Sequence, residues 1–313
     1  MKLNFMFVIQ RMLELSGRLT LPNLSSMLLI GKLRYIQSVY EEPEYRNPDT
    51  LIRDFLPPVL RWLCMLQAKM RQSKLRLDPF YYYLLARTKY YDQVFIDAIC
   101  SNTKLIINIG CGSDTRAYRF SELLRHKGIH VLECDQRQSI FVKEQLAKRR
   151  WCTDHITYVA IDLNADTWPE LEHWITNVHS TVLVILEGVS PYVDEKSFNR
   201  FLRFMAEKLH VGSRLVYDFK IASAEDDFGK DVLNHTPFRL PATKRNIIAY
   251  HKTLGYELEQ MELSSELSSR LLPSLSGSGA RLFAKDCLLQ LTVAKIRSCG
   301  YNSSLAASPT GAS

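Results

Sequence analysis

Hydrophobic and polar residues follow two different patterns in the two parts of this chain. Over the first hundred residues, apolar side chains recur at helical spacing, and the runs are interrupted at Pro22, Pro43, Pro48 and Pro57-Pro58. Few segments there alternate as a strand would. We therefore predict that residues 1–100 form an N-terminal helical cap.

From residue 105 onward, short apolar runs typical of buried strands alternate with amphipathic segments typical of helices. The predicted strands cover 105–109, 130–133, 157–161, 181–186 and 213–218. Helices are predicted between them over 115–126, 138–150, 168–174 and 195–210. This alternation predicts an α/β fold with a doubly wound, mostly parallel sheet.

The pattern becomes irregular after residue 219. We predict a lid insertion over about 220–255, including a helix over 242–254. A strand over 257–262, a Ser-rich loop and a last strand over 288–293 then complete the sheet as an antiparallel hairpin. The core domain is thus predicted to span 101–298, and the Ser- and Ala-rich tail 299–313 to be disordered.

The amino-acid composition of the chain makes some classes of function less expected than others. The 313 residues are 46% hydrophobic, which suffices for a large core, and no run of eighteen apolar residues predicts a membrane span. The net charge is +7, but the cations are scattered among 33 acidic residues, so nucleic-acid binding is not expected, whereas an acidic carrier or partner protein stays open. Seven cysteines without a Cys-x-x-Cys pair predict neither a disulfide framework nor a zinc site, and they fit a reducing cytoplasm.

The first predicted strand runs into Gly110-Cys111-Gly112, a turn in which the chain can approach a ligand closely. Thr115 replaces the third glycine of a dinucleotide fingerprint, and no Gly-Lys-Ser/Thr of a Walker loop follows. Asp135, at the end of the second strand, can accept hydrogen bonds from both ribose hydroxyls. A nucleoside without a pyrophosphate, such as S-adenosylmethionine, fits this combination, and a purely structural turn is the alternative.

Two further strand ends carry acidic residues. Asp162-Leu163 follows the third strand, where a carboxylate and a backbone amide can meet an adenine, although Asp162 can also be a helix N-cap. Glu187 follows the fourth strand and is placed to face a ligand in the crevice of the sheet, with a salt-bridged structural acid as the alternative.

Four blocks of residues together resemble one known family, the leucine carboxyl methyltransferase-like S-adenosylmethionine-dependent O-methyltransferases. The blocks are Ala86–Asp92, Gly110–Arg116 with Arg119, Glu133–Asp135, and Asp162-Leu163 taken with Glu187–Val189 and Tyr192. The resemblance implies the class I methyltransferase fold, with a seven-stranded sheet, and S-adenosylmethionine as the cofactor.

The resemblance also implies roles for individual residues. Arg87 would grip the methionine carboxylate, and Asp135 would hold the ribose. The alternative for Arg87 and Asp92 is a pair of surface charges on one helix. Asp114 and Arg116 are expected to stiffen the site through loop or helix-end contacts.

The acceptor is less specified than the cofactor. Among family members the chain is most similar to O-methyltransferases of cyanobacterial microcystin-type gene clusters, which methylate a polyketide-derived β-amino acid. The expected acceptor is therefore an oxygen of a free or carrier-bound polyketide or peptide. A protein C-terminal carboxylate is the alternative acceptor, and an inactive scaffold is the alternative class. Weak candidates for a catalytic base are Tyr192, His235 and the cluster Tyr81-Tyr82-Tyr83, which can equally line an acceptor pocket.

Overall fold

The computed structural model of the chain describes residues 22–220, 238–239, 243–275 and 286–293. His235, most of the predicted lid between 220 and 255, and the predicted tail 299–313 lie outside these residues and stay predictions.

All strands of the described residues belong to one sheet. They are β1 (Thr103–Ile109), β2 (His130–Asp135), β3 (Ile156–Ala160), β4 (Thr181–Leu186), β5 (Arg214–Lys220), β6 (Tyr256–Leu263) and β7 (Asp286–Val293). Their order in the sheet is β3-β2-β1-β4-β5-β7-β6. The first five pair in parallel, and β7 pairs antiparallel with both β5 and β6. The predicted α/β class with a doubly wound parallel centre is confirmed.

Helices cover both faces of this sheet. They are α1 (Pro22–Tyr40), α2 (Pro58–Arg76), α3 (Pro79–Cys100), α4 (Arg116–Arg119), α5 (Ser121–Lys127), α6 (Arg137–Lys148), α7 (Pro169–Thr176), α8 (Glu195–Lys208), α9 (Lys244–Thr253) and α10 (Ser264–Leu271). Pro22, Pro58 and Pro79 stand at helix starts, where a missing N–H is tolerated. Two of the prolines that interrupt the apolar pattern, Pro22 and Pro58, therefore begin helices.

Successive side chains of a strand point to opposite faces of the sheet, and β1 divides the core accordingly. Ile106 packs in one apolar cluster with side chains from α1, α2 and α3, whereas Ile107 packs in the other cluster with side chains from α7 and α8. The N-terminal helices thus share a continuous core with one face of the sheet, which lets them supply side chains to the edge where the parallel strands end.

The structure differs from the sequence prediction in two elements. Residues 264–271 form a helix and not a Ser-rich loop. Ser268 and Ser269 donate to the carbonyls of Ser264 and Ser265, and Leu267 is buried against the core, so packing overrides the low helix propensity of serine. The predicted helix over 115–126 is divided into α4 and α5 at Phe120.

Within the described residues, no helix is long and apolar enough to cross a membrane.

Candidate functional site

The carboxyl ends of the parallel strands enclose a cavity of about 270 Å³. It lies where the order of the sheet reverses between β1 and β4, the position at which doubly wound sheets bind ligands. Its wall includes the seven predicted cofactor residues, which are Arg87, Gly110, Gly112, Asp135, Asp162, Leu163 and Glu187. The tertiary structure therefore brings together all seven positions selected as cofactor residues, and their roles in binding stay predictions.

The turn after β1 forms the floor of this cavity. Gly110 and Gly112 adopt φ angles of +64° and +41°, a region that favours glycine. A Cβ atom on Gly110 would lie 2.4 Å from Cγ2 of Val189, in the loop after β4. The turn is attached to β2 because the Cys111 N–H donates to the carbonyl of Cys134 across 3.0 Å. Glycine at 110 is thus required by both the backbone angle and the neighbouring loop.

Asp135 and Glu133 occupy different depths beside this turn. The carboxylate of Asp135 faces the cavity and accepts from the N–H groups of Gly112 and Gln136, each across 2.7 Å. Glu133 is fully buried beneath the turn, where the Lys143 ammonium lies 2.6 Å from its carboxylate. Burial raises the pKa of both carboxyls. Of the two acids in this block, Asp135 is the one available to a ligand.

Asp162 and Leu163 lie in a turn after β3. The Asp162 carboxylate accepts from the Asn164 N–H across 2.9 Å, and its carbonyl accepts from Nε1 of Trp168 across 2.8 Å. Since α7 begins only at Pro169, the alternative role of Asp162 as a helix N-cap is wrong. The carboxylate instead stabilises the turn that forms this wall of the cavity.

Glu187 stands among three arginines. Its Oε2 accepts from Nη1 of Arg116 across 2.7 Å, its Oε1 lies 3.2 Å from Nε of Arg87, and Arg34 donates to the same Oε1. Burial by itself would raise the pKa of Glu187, but Arg34, Arg116 and Arg87 outweigh it and lower the pKa to about 2. Glu187 is therefore a salt-bridged acid, as the alternative prediction stated, and it also lines the cavity.

Arg87 is a buried cation at the same end of the cavity. It is 6% exposed, so the alternative reading of Arg87 as a surface charge is wrong. Its Nη1 donates to Oδ2 of Asp218 across 3.0 Å. Burial opposes its charge, but Asp218 and Glu187 raise the pKa of Arg87 above its ordinary value, so the guanidinium stays protonated.

Arg116 and Arg119, which belong to the motif block after β1, form ion pairs with Asp92 beneath the cavity. Nε of Arg116 donates to Asp92 and Nη1 donates to Asp114, each across 2.7 Å, and Arg119 binds both oxygens of Asp92. Asp114 also accepts from the Arg116 N–H across 2.8 Å. Asp92 is therefore not a surface charge, and these residues join α3 to the turn after β1, in agreement with the stiffening expected of Asp114 and Arg116.

Sequence reasoning missed two charged residues of the cavity wall, Arg34 and Asp218. Asp218 lies two residues before the end of β5 and is the last residue of the strand predicted over 213–218, so the rule that singled out acids at the other strand ends would have found it. Arg34 lies in α1, within no motif, and 153 positions separate it from Glu187. No signal in the sequence relates it to the site.

Of the candidates for a catalytic base, Tyr192 is the one that the described residues place in the cavity wall. Tyr192 lines the cavity, and burial raises the pKa of its hydroxyl, which therefore stays protonated near neutral pH. His235 lies outside the described residues. The hydroxyl of Tyr81 donates to Glu41, and none of residues 81–83 lines the cavity, whereas Phe80 does.

Comparisons with known proteins identify the family of this chain. The family model for leucine carboxyl methyltransferase matches residues 33–206. A protein of Mycobacterium bovis (strain BCG / Pasteur 1173P2), named for S-adenosyl-L-methionine-dependent methyl transfer, is 29% identical over 147 residues, which are 46% of each chain. A similarly named protein of Mycobacterium sp. (strain JLS) is 30% identical over 154 residues, 48% of this chain and 49% of the relative. The chain spans about half the length of the curated relatives it matches.

Solved structures show a weaker likeness. A magnesium protoporphyrin IX methyltransferase from Synechocystis PCC 6803, with bound SAH, aligns with a TM-score of 0.40 at 12% identity, over 67% of this chain and 86% of that chain. An O-methyltransferase family protein from Burkholderia thailandensis aligns with a TM-score of 0.43 at 11% identity, over 85% and 82%. These scores carry no argument about activity.

The family model covers more than half of the chain and includes every motif block that carries the resemblance, from Arg87 to Tyr192. The curated relatives are named for the cofactor that the sequence predicts. The chain belongs to the leucine carboxyl methyltransferase family.

Proposed function

We propose that this chain is an S-adenosylmethionine-dependent methyltransferase that methylates an oxygen of a small polyketide or peptide acceptor. The observation that carries the proposal is the distribution of charge in the cavity. One end holds two arginines beside Glu187 and Asp218, and the other end holds the carboxylate of Asp135. The glycine turn lies between them, without the residues that bind a pyrophosphate.

The arginine end fits an amino-acid group. Nε of Arg34 and Nε of Arg87 are both buried and make no hydrogen bond, and both residues line the cavity. Nε of Arg87 is close enough to Glu187 for charge attraction, but it is not aligned as a hydrogen-bond donor. Guanidinium groups bind carboxylates, and Glu187 supplies the opposite charge for an ammonium group. A methionine moiety satisfies both requirements at once.

The Asp135 end fits a ribose. A carboxylate has about four lone-pair positions, and the Gly112 and Gln136 N–H groups occupy two of those on Asp135. The remaining positions can accept from two neighbouring hydroxyls. Asp162 and Leu163 then border the region next to the ribose, where the base would lie.

When bound, the cofactor supplies an electrophilic methyl group on a sulfonium. Residues of the chain contribute by holding the two reactants in line, which can lower a barrier by about 7 to 11 kcal/mol. Arg34 and Arg87 would anchor one end of the cofactor and Asp135 the other. Transfer of the methyl group to a hydroxyl would leave S-adenosylhomocysteine, and the hydroxyl proton would pass to solvent during or after the transfer. Tyr192, which stays protonated, is suited to donate a hydrogen bond to the acceptor and not to remove its proton.

The nature of the wall supports a neutral hydroxyl acceptor over a carboxylate. Ile30, Phe80, Pro191 and Val193 contribute apolar surface to the cavity. The cations that line it within the described ranges are Arg34 and Arg87, and this proposal assigns both to the carboxylate of the cofactor. A protein C-terminal carboxylate would therefore find no further cation there. We propose the hydroxyl of a polyketide-derived β-amino acid, free or carrier-bound, as the acceptor, in line with the similarity to microcystin-type enzymes.

Two measurements test the proposal. Calorimetry should detect binding of S-adenosylhomocysteine to the folded protein, and an absence of binding at about millimolar ligand would favour the inactive scaffold. Incubation with methyl-labelled cofactor and a cell extract should then label a small organic product. A label that appears instead on protein as a base-labile ester would favour the C-terminal carboxyl methyltransferase.

A further inference from the structure

Lys143 is a buried lysine on the inward face of α6 that does not line the cavity. We infer that Lys143 is a positioning residue of the cofactor site, which holds the glycine turn in place from the side opposite Asp135. The inference rests on the proposed function, because it concerns how tightly the same cavity binds the cofactor.

The contacts of the Lys143 ammonium join three elements. Lys143 is 2% exposed, and its Nζ donates to Oε2 of Glu133 on β2 across 2.6 Å. The same Nζ lies 3.4 Å from the carbonyl oxygen of Cys111, the middle residue of the turn. One cation therefore ties α6 to both β2 and the floor of the cavity.

Asp135 contacts the same turn from its other side. The Gly112 N–H donates to Asp135, and the neighbouring Cys111 carbonyl faces Lys143. The single peptide group that links Cys111 and Gly112 is thus held by a carboxylate at its N–H and by an ammonium at its carbonyl. Loss of the ammonium contact lets the peptide of residues 111 and 112 rotate, and Asp135 then loses the donor that orients its carboxylate toward the ribose.

A chain of hydrogen bonds continues from Lys143 under the floor. Nδ2 of Asn108 lies 3.4 Å from Oε2 of Glu133 and 3.0 Å from Oδ2 of Asp114. Asp114 in turn accepts from Arg116, which binds Glu187. In this series of hydrogen bonds, the ammonium of Lys143 is the cation nearest to the proposed ribose position, and it compensates the buried charge of Glu133.

The exposed end of the same helix provides a matched control. Nζ of Lys148 lies 2.6 Å from Oε1 of Glu144, the same separation as in the buried pair, but Lys148 is 56% exposed. Lys143→Met and Lys148→Met therefore remove the same group from the same helix, one beneath the cofactor site and one at the surface.

The experiment compares binding of S-adenosylhomocysteine and of adenosine to the two variants by calorimetry. Lys143→Met should raise the dissociation constant of S-adenosylhomocysteine about ten- to a hundredfold, the range found when a residue that orients a metal ligand is removed from a metal site. Adenosine should lose affinity by the same factor, because the disturbed contact lies at the ribose end. In turnover, KM for the cofactor should rise more than kcat falls, and Lys148→Met should match the wild type.

A double variant separates positioning from simple stability. Lys143→Met leaves Glu133 buried without its cation, and adding Glu133→Gln removes that charge. The double variant should recover the unfolding midpoint while its affinity for adenosine stays low, because the contact with Cys111 is still missing. The inference would be overturned if the double variant recovered both the unfolding midpoint and the affinity for adenosine. It would also be overturned if folded Lys143→Met bound adenosine as tightly as the wild type does. Failure of the wild type to bind S-adenosylhomocysteine would instead overturn the proposed function and this inference with it.

Discussion

Arg87 on α3 donates to Asp218 on β5 across 3.0 Å, from Nη1 to Oδ2, although 131 positions separate the two residues along the chain. The same carboxylate accepts from the Gly188 N–H across 2.6 Å through its other oxygen. Asp218 thus orients the guanidinium of Arg87 against the loop after β4. The planar shape of the guanidinium, and not only its charge, determines which donors face this end of the cavity.

Replacement of Arg87 by lysine should therefore weaken cofactor binding although the positive charge remains. A lysine ammonium cannot reach Asp218 and a cofactor carboxylate in parallel. We expect calorimetry to give a dissociation constant for S-adenosylhomocysteine at least about tenfold higher, or about 1.4 kcal/mol. Arg125→Lys, at a half-exposed arginine paired with Asp154, is the control and should bind like the wild type. Equal affinity in both variants would contradict the proposed role.

Gly110→Ala should destabilise the protein more than Gly128→Ala does. Both glycines have nearly the same positive φ, +64° and +62°, but a Cβ on Gly110 meets Cγ2 of Val189 at 2.4 Å, whereas a Cβ on Gly128 meets nothing within 4 Å. The difference in unfolding free energy between the variants should be about 1 to 3 kcal/mol, the cost of overpacking. Denaturant titration measures it.

A second substitution checks the cause of this difference. Val189→Ala removes the Cγ2 atom, so it should restore part of the stability of Gly110→Ala and leave the backbone strain uncorrected. If Val189→Ala has no effect in that background, the steric contact is not the source of the loss.

Glu187→Gln should destabilise the protein at neutral pH by about 3 kcal/mol, since the carboxylate neutralises three surrounding arginines. The folded-state pKa of Glu187 is lowered to about 2 from an ordinary value of 4.5, so its contribution is complete above about pH 4.5. As the pH falls toward 2, the carboxylate becomes protonated in the folded state too, and the contribution disappears.

The measurement is the difference in unfolding free energy between the wild type and Glu187→Gln across this pH range. The difference should shrink as the pH falls, and a constant difference down to pH 2 would refute the assignment. Glu144→Gln, which removes a carboxylate from the exposed pair with Lys148, is the control and should change the unfolding free energy little.

Asp92→Asn should cost about 3 to 5 kcal/mol of stability, the usual penalty for breaking a buried ion pair from one side. Asp92 accepts from Nε of Arg116 and from two nitrogens of Arg119, and all of these side chains are nearly buried. Asp154→Asn, at an exposed acid near Arg125, should have little effect. Denaturant unfolding of the two variants compares them, and similar stabilities would show that the buried pairs are dispensable.

Local patterns were enough to predict the sheet and much of the site. Apolar runs alternating with helical segments specify parallel strands, and the carboxyl ends of such strands meet at one edge whatever the details of packing. Gly110, Asp135 and Glu187 could therefore be selected as neighbours from their positions after strands. The helix Ser264–Leu271 lies in the segment between 262 and 288 for which a Ser-rich loop was predicted, and it was missed because it depends on the burial of Leu267.

Contacts between distant segments decided the rest. Glu133 was not related to Lys143 by the sequence, and the packing of α6 beneath the turn makes them a buried pair, whereas Asp135 faces the cavity. Arg34 reaches Glu187 because α1 packs over the end of the sheet, which no motif records. The pattern of the chain determines which residues stand at the ends of the strands, because that depends on local periodicity. Which charges meet there depends on how helices far away in sequence pack, and that follows from the burial of the whole core.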